Sequence, residues 1–234
     1  MAGVAIVAAT ICSYALGWLI DIPLLVPFVN TAASYPFMVL ALKAGDVRLA
    51  IARMLLWALT MGVCATLLSY ARPLPTATLF LNAEAYRVEM FRWVVTGTGA
   101  ESTPAIFVPQ QLLHAIAFSV LALATGGVLA MPMGAMLMNY MGHYVGTLAA
   151  NSRQPILTMF LAWHPWAVIR VISFVTLGVV LSAPLISRVG RFRIDLRPAR
   201  PFVVTACAGL AADIVLKALL APTWQRLLLR VVGW

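Results

Sequence analysis

Charged residues are scarce in this chain, and acidic residues are the scarcest of all. Lys and Arg number 16, Asp and Glu number 7, and charged residues together make up 10% of the 234 positions. A soluble domain carries about 25% charged residues, so this composition excludes an ordinary water-exposed surface. With 63% hydrophobic residues, the chain is predicted to be an integral membrane protein in contact with lipid.

Cysteines are also few, and motifs of known chemistry are missing. Cys12, Cys64 and Cys207 lie in apolar segments without a CxxC pair, which argues against a disulfide framework. There is no nucleotide-binding glycine loop, no HExxH motif and no serine elbow, so we assign no catalytic residue. We ascribe the excess of Lys and Arg to membrane orientation and not to nucleic-acid binding, because membrane proteins collect these residues in cytoplasmic loops.

Long apolar segments are abundant, and they predict an all-α polytopic transmembrane bundle. A spanning helix needs about 20 mostly apolar residues, and about seven segments meet this requirement. They cover residues 3–20, 22–42, 49–71, 111–130, 132–150, 156–185 and 201–221. No repeat or linker divides the chain, so residues 1–234 are predicted to form a single membrane domain.

Two apolar stretches contain residues that interrupt a helix. Two stretches outside the spans favour the membrane surface. Prolines in 22–42 predict a kinked or broken helix, and the apolar run 111–150 predicts a hairpin that turns near "MPMG" (131–134). Amphipathic patterning and aromatic residues predict an interfacial helix at about 79–95. The tail 222–234, with two Trp and two Arg, also suits the interface.

The arginine-rich loop 188–200 predicts the orientation of the bundle. It holds five arginines and one aspartate, so we expect it on the cytoplasmic side. Counting spans from that loop places the N-terminus in the cytoplasm and the 72–110 connector outside. The compact loops and the arginine bias favour a plasma membrane.

A few ionisable residues lie within the apolar segments, where they are expensive and commonly functional. Asp213 and Lys217 are four residues apart and are expected to share a helix face as a neutralising pair. In "WHPWAVIR" (163–170), Pro165 predicts a kink, and Arg170 requires an acceptor. That acceptor is an opened backbone carbonyl, a bound anion or Asp213. His164, Arg170, Asp213 and Lys217 form the candidate functional cluster.

The histidines permit a different hypothesis. His114, His143 and His164 fall in three successive predicted spans, and Met136 shares a helix face with His143. Imidazoles and thioethers that converge would hold copper, zinc or a haem iron. The alternative is that each imidazole forms hydrogen bonds between helices, and on that reading no cofactor is predicted. Contacts with membrane lipids are expected in either case.

Small residues in 134–146 predict close helix packing. Gly134, Gly142 and Gly146 recur at multiples of four, which is typical of faces that let another helix approach closely. Such a face suits packing within the chain, a homo-oligomer or other membrane protein subunits.

A resemblance to a known family rests on four residues. They are Asn139, the spaced Gly142 and Gly146, and His164 near the start of a later helix. Over residues 112–185 the chain resembles the stage II sporulation protein M superfamily of integral membrane proteins. In that family the His is followed by Gly and, four residues on, by Glu, whereas this chain has Pro165 and Val168. The resemblance implies a polytopic membrane protein without established catalysis that works in a complex.

Three functional hypotheses follow from the sequence. The first is a noncatalytic scaffold or permease-like subunit of a larger membrane complex. The second is a transporter of a small solute or ion with a site around His164 and Arg170. The third is a redox subunit in which His114, His143 and His164 hold a metal or haem.

Overall fold

The computed structural model describes residues 1–234 and is all-helical, as predicted, with no strand. Eleven α-helices follow one another along the chain. Their bounds are α1 Ala2–Ile20, α2 Val26–Ala32, α3 Tyr35–Lys43, α4 Val47–Ala71, α5 Pro73–Leu79, α6 Ala83–Thr96, α7 Pro104–Thr125, α8 Ala130–Ala150, α9 Pro155–Ala162, α10 Pro165–Val189 and α11 Arg200–Val232. Short 3-10 turns lie at Ala100–Ser102 and Arg197–Ala199.

Five helices are long and apolar enough to cross a membrane: α1, α4, α7, α10 and α11. Large apolar side chains cover their outer faces, as Leu19, Leu113 and Val204 illustrate. Water would not stabilise so much exposed apolar surface. These helices are consistent with a membrane protein.

Helix α8 lies at the centre of the bundle and is not among those five. Most of its side chains are buried, including Asn139 and His143. It packs against α2, α4, α6 and α9, so its polar side chains contact other helices. The run 111–150, for which the sequence predicts a hairpin, lies in two helices, α7 and α8.

The turn between these two helices lies at 126–129, five residues earlier than the predicted "MPMG" (131–134). Gly126 and Gly127 have φ of 59° and 87°, a left-handed conformation that only glycine adopts readily. Pro132 lies in the first turn of α8, where its missing N–H costs no helical hydrogen bond. Helix α7 also begins at Pro104, earlier than the predicted 111.

Prolines divide two of the predicted spans. The segment 22–42 forms the short helices α2 and α3, each with a proline in its first turn. The segment 156–185 is divided at Trp163 and His164, and α10 then continues to Val189. His164 has ψ of 144° because a residue before proline is pushed away from the helical region.

The C-terminal tail is part of α11 and not a separate segment. The helix passes through Pro222 and ends at Val232, whereas its end was predicted at 221. Trp224 Nε1 donates to Leu161 O at 2.7 Å, and Gln225 Nε2 donates to Val94 O at 2.6 Å. These bonds tie the end of α11 to α9 and α6.

The glycine face of α8 packs against α4 within the same chain. A Cβ on Gly142 would lie 2.5 Å from Ala65 Cβ, and one on Gly146 would collide with Thr66 O. Gly134 differs, since the nearest atom to its Cβ position is Phe118 Cε2 at an ordinary 3.6 Å. The prediction of close packing therefore applies to Gly142 and Gly146 and is wrong for Gly134.

Candidate functional site

A cavity of about 650 Å³ lies among helices α6, α7, α8, α10 and α11. Aromatic and methionine side chains make up much of its wall, and charged groups from α6, α10, α11 and the turn Ala100–Ser102 also reach it. Its polar lining consists of Tyr86, Glu89, Glu101, Gln110, Gln111, His114, Tyr140, Arg170, Asp213 and Lys217. Binding sites for small molecules are commonly of this kind, mostly apolar with a few convergent polar groups.

Arg170 and Asp213 form a bidentate ion pair on the wall of the cavity. Arg170 Nε donates to Oδ2 of Asp213 at 2.7 Å, and Nη2 donates to Oδ1 at 3.0 Å. Helix α10 places Arg170 and helix α11 places Asp213, so the pair joins two helices. The Asp213 side chain is 2% exposed and that of Arg170 is 26% exposed. The carboxylate is thus enclosed, while part of the guanidinium faces the cavity.

Lys217 pairs with Glu101, a residue that the sequence did not single out. Lys217 Nζ donates to Glu101 Oε1 at 2.7 Å and lies 4.5 Å from the centre of the Phe107 ring. The expected pair between Asp213 and Lys217 is therefore wrong. Arg170 occupies both oxygens of Asp213, and the turn Ala100–Ser102 brings Glu101 to Lys217 instead.

Two opposing effects act on the pKa of Glu101. Burial alone would raise it, but the positive charges of Lys217 and Arg170, together with the hydrogen bond from Lys217, hold the pKa below its ordinary value. Glu101 is therefore ionised at neutral pH, and the contact with Lys217 is an ion pair between two charged groups.

Other polar groups on the cavity wall have no partner in the protein. Both amide atoms of Gln111 are buried without a hydrogen bond. Glu89 is exposed, and it forms no ion pair within 4.0 Å. The wall therefore presents an amide and a carboxylate that are free to contact a bound molecule.

His164 lies beside the cavity, in an aromatic cluster, and does not line it. Its ring stacks on Trp166 at a centroid distance of 4.7 Å and meets the edge of Trp93 at 5.3 Å. Tyr144 lies 6.2 Å away. His164 Nε2, Trp93 Nε1 and Tyr144 OH are all buried without a hydrogen bond. From the predicted cluster, Arg170, Asp213 and Lys217 line the cavity. His164 packs in the aromatic cluster beside it.

The three histidines do not converge. His114 lies on the cavity wall, and His164 lies in the aromatic cluster. His143 Nδ1 is 3.2 Å from both Thr76 Oγ1 and Ser69 Oγ. Met136 does not reach the cavity wall. No three His, Cys, Asp or Glu side chains lie close enough together to hold a metal ion, so this fold does not build the predicted three-histidine site.

A second polar network holds the opposite part of the bundle together. Tyr14 OH donates to Asn139 Oδ1 at 2.7 Å, and Asn139 Nδ2 donates to Asn30 Oδ1 at 2.9 Å. Asn30 Nδ2 then donates to Ser13 Oγ at 2.7 Å. All four side chains are buried, and they join α1, α2 and α8. The two asparagine amides bond to each other and to the hydroxyl groups of Tyr14 and Ser13, so we assign the network a structural role.

Sequence reasoning missed several of these residues, although some signals were present. Glu101 is one of only seven acidic residues, and a second buried cation, Lys217, needed a counter-charge once Arg170 had taken Asp213. The stretch "TGTGAESTP" (96–104) instead suggested a flexible turn. Gln111 and Asn30 carried no pattern that distinguished them from other polar residues in apolar helices.

Comparison with protein-family models, curated proteins and solved structures returns no match for this chain. The resemblance to the stage II sporulation protein M superfamily therefore remains a hypothesis based on Asn139, Gly142, Gly146 and His164. In this fold Asn139 belongs to the buried network, and the two glycines form the crossing with α4.

Proposed function

We propose that this chain is a noncatalytic, permease-like membrane protein that binds a small solute in its cavity. The observation that carries the proposal is the pair of ion pairs, Arg170–Asp213 and Lys217–Glu101, on the wall of a cavity of about 650 Å³. Charged groups inside a membrane bundle are costly to bury and mark solute pathways when they face a cavity.

The proposal includes seven passes through the plasma membrane. Single passes are α1, α4, α7, α8 and α11, and the broken pairs α2–α3 and α9–α10 supply the other two. Helix α8 crosses inside the bundle, shielded from lipid by its neighbours. The N-terminus and the loop 188–200 lie in the cytoplasm, and the connector 72–110 lies outside. Broken helices are a known way to bring irregular backbone to a cavity within a membrane.

Cysteine labelling tests this topology. In a background with Cys12, Cys64 and Cys207 replaced by alanine, Thr98→Cys and Asp195→Cys each provide one exposed thiol. An impermeant maleimide added to intact cells should label Thr98→Cys and should label Asp195→Cys only after the cells are opened. The reverse pattern would invert the orientation, and labelling of both in intact cells would exclude this seven-pass topology.

Purification in mild detergent followed by mass spectrometry tests the solute-binding function. We expect a small molecule to co-purify with the wild-type chain and to be lost from Leu210→Trp, which adds an indole ring to the cavity wall. Val215→Trp, on the outer face of the same helix, is the matched control and should retain the molecule. Recovery of the chain only with stoichiometric membrane protein partners, and with an empty cavity, would favour the scaffold function and contradict the solute-binding proposal.

A further inference from the structure

The charges on the cavity wall indicate which class of solute it takes. Both cations are already neutralised, since Arg170 bonds to both oxygens of Asp213 and Lys217 bonds to Glu101. Glu89 is the remaining carboxylate of the lining, and it has no cationic partner in the chain. Arg170 and Lys217 therefore face three carboxylates in the lining, those of Asp213, Glu101 and Glu89, and one negative charge is left without a cation.

The apolar part of the wall also suits a positive charge. Aromatic rings attract cations through the negative potential of their faces, and Tyr86, Tyr140 and Trp163 lie on this wall. One such contact already exists in the cavity, where Lys217 Nζ lies 4.5 Å from the centre of the Phe107 ring. Methionine sulfurs add polarisable contacts for an apolar body.

Gln111 provides the third feature of the site. Its amide oxygen and nitrogen are both buried and unpaired, and leaving such groups unsatisfied costs free energy. A solute with a hydrogen-bonding group would satisfy one or both atoms.

We propose that the cavity binds amphipathic organic cations, with an apolar aromatic body and a single positive charge that is attracted by Glu89. This inference rests on the proposed solute-binding function and specifies its ligand class. An anion of the same shape would meet an unpaired carboxylate and no free cation, so it should bind more weakly.

Two ions of equal shape and opposite charge provide the test. Tetraphenylphosphonium and tetraphenylborate are added to the purified full-length chain in nanodiscs, and saturable binding is measured by equilibrium dialysis against protein-free nanodiscs. We expect the cation to bind at least about tenfold more tightly than the anion. Glu89→Gln should weaken cation binding about two- to fivefold, as expected for one partly exposed charge pair.

A matched variant on the same helix controls for general effects of charge. Glu84 is also exposed on α6, but it pairs with Arg87 and does not line the cavity, so Glu84→Gln should leave the cation affinity unchanged. An equal loss in both variants would overturn the assignment of Glu89.

A phenylalkylammonium probe tests Gln111 separately. Its N–H groups can donate to Gln111 Oε1, whereas tetraphenylphosphonium has no hydrogen-bonding group. Gln111→Leu should therefore weaken the ammonium more than the phosphonium, and equal effects on the two would overturn the role of Gln111.

The outcomes separate this inference from the proposed function. Saturable binding of both tetraphenyl ions with equal affinity would overturn the cation preference and leave a solute-binding cavity. No saturable binding of either ion would overturn the inference about ligand class. The co-purification experiment would then decide independently whether the cavity holds a solute.

Discussion

Arg170 holds both carboxylate oxygens of Asp213, at 2.7 and 3.0 Å, and thereby links α10 to α11. Asp213 is 2% exposed, so its carboxylate depends on Arg170 for a counter-charge. Loss of one partner should therefore cost more than loss of both, because a buried charge without a counter-ion is strongly destabilising.

The first prediction follows from this pairing. Arg170→Leu should lower the free energy of unfolding by about 3–5 kcal/mol, and the double variant Arg170→Leu with Asp213→Leu should recover part of that loss. Unfolding in mixed micelles, monitored by Trp fluorescence, measures both effects. If the double variant is as unstable as the sum of its single variants, the two residues are not coupled as the structure indicates.

The second prediction concerns the crossing of α4 and α8. Gly146→Ala should destabilise the protein by about 1–3 kcal/mol, because the added methyl group meets the Thr66 carbonyl. Gly134→Ala is the matched control on the same helix and should be neutral or slightly stabilising, since alanine favours helices by about 1 kcal/mol over glycine. Equal effects at the two positions would contradict the packing described for α8.

These two predictions differ in how far the sequence could anticipate them. Spaced glycines in an apolar helix directly indicate close packing, but they do not identify the partner helix. Gly134 lies eight residues before Gly142, a rotation of about 80° around the helix at about 3.6 residues per turn, and it faces Phe118 on α7. The spacing and composition of residues indicate which face of a single helix is small or apolar. Which second helix packs on that face depends on the tertiary structure.

The candidate site shows the same limit. Arg170, Asp213 and Lys217 could be identified because charges in apolar segments are rare, but their pairing could not. Glu101 lies 116 positions from Lys217, in a turn without a helical pattern. The break at His164 was predictable from Pro165, whereas continuation of α11 through Pro222 depends on the bonds of Trp224 and Gln225 to other helices.

A third prediction concerns the stability of the fold at low pH. The pKa of Glu101 is lower in the folded protein than its ordinary value, so its ionisation stabilises the fold above the unfolded pKa of about 4.3. This contribution is lost as the pH falls through the lower, folded pKa. Thermal unfolding between about pH 6 and pH 3 should therefore depend less on pH in Glu101→Gln than in the wild type. Identical pH dependence in the two proteins would show that Glu101 does not contribute to it.

A fourth prediction concerns the buried network around Asn139. Tyr14→Phe and Asn139→Ala should each destabilise the fold, and the double variant should lose less than the sum of the two. The expected coupling energy is about 0.5–3 kcal/mol for residues in one hydrogen-bond network. A coupling near zero in the double-mutant cycle would mean that Tyr14 and Asn139 do not interact in the folded protein.

The most direct test of a solute-accessible cavity inside the membrane bundle compares two adjacent positions on α11. Ile214 lines the cavity, and its neighbour Val215 is exposed on the outer face of the helix and does not line it. Ile214→Cys and Val215→Cys, each in the background with the three native cysteines replaced, are treated in membrane vesicles with a small water-soluble methanethiosulfonate. We predict that Ile214→Cys reacts at least about tenfold faster, because one residue along a helix changes depth by only about 1.5 Å while changing the face. Equal reaction rates, or an unreactive Ile214→Cys, would contradict the presence of a solute-accessible cavity.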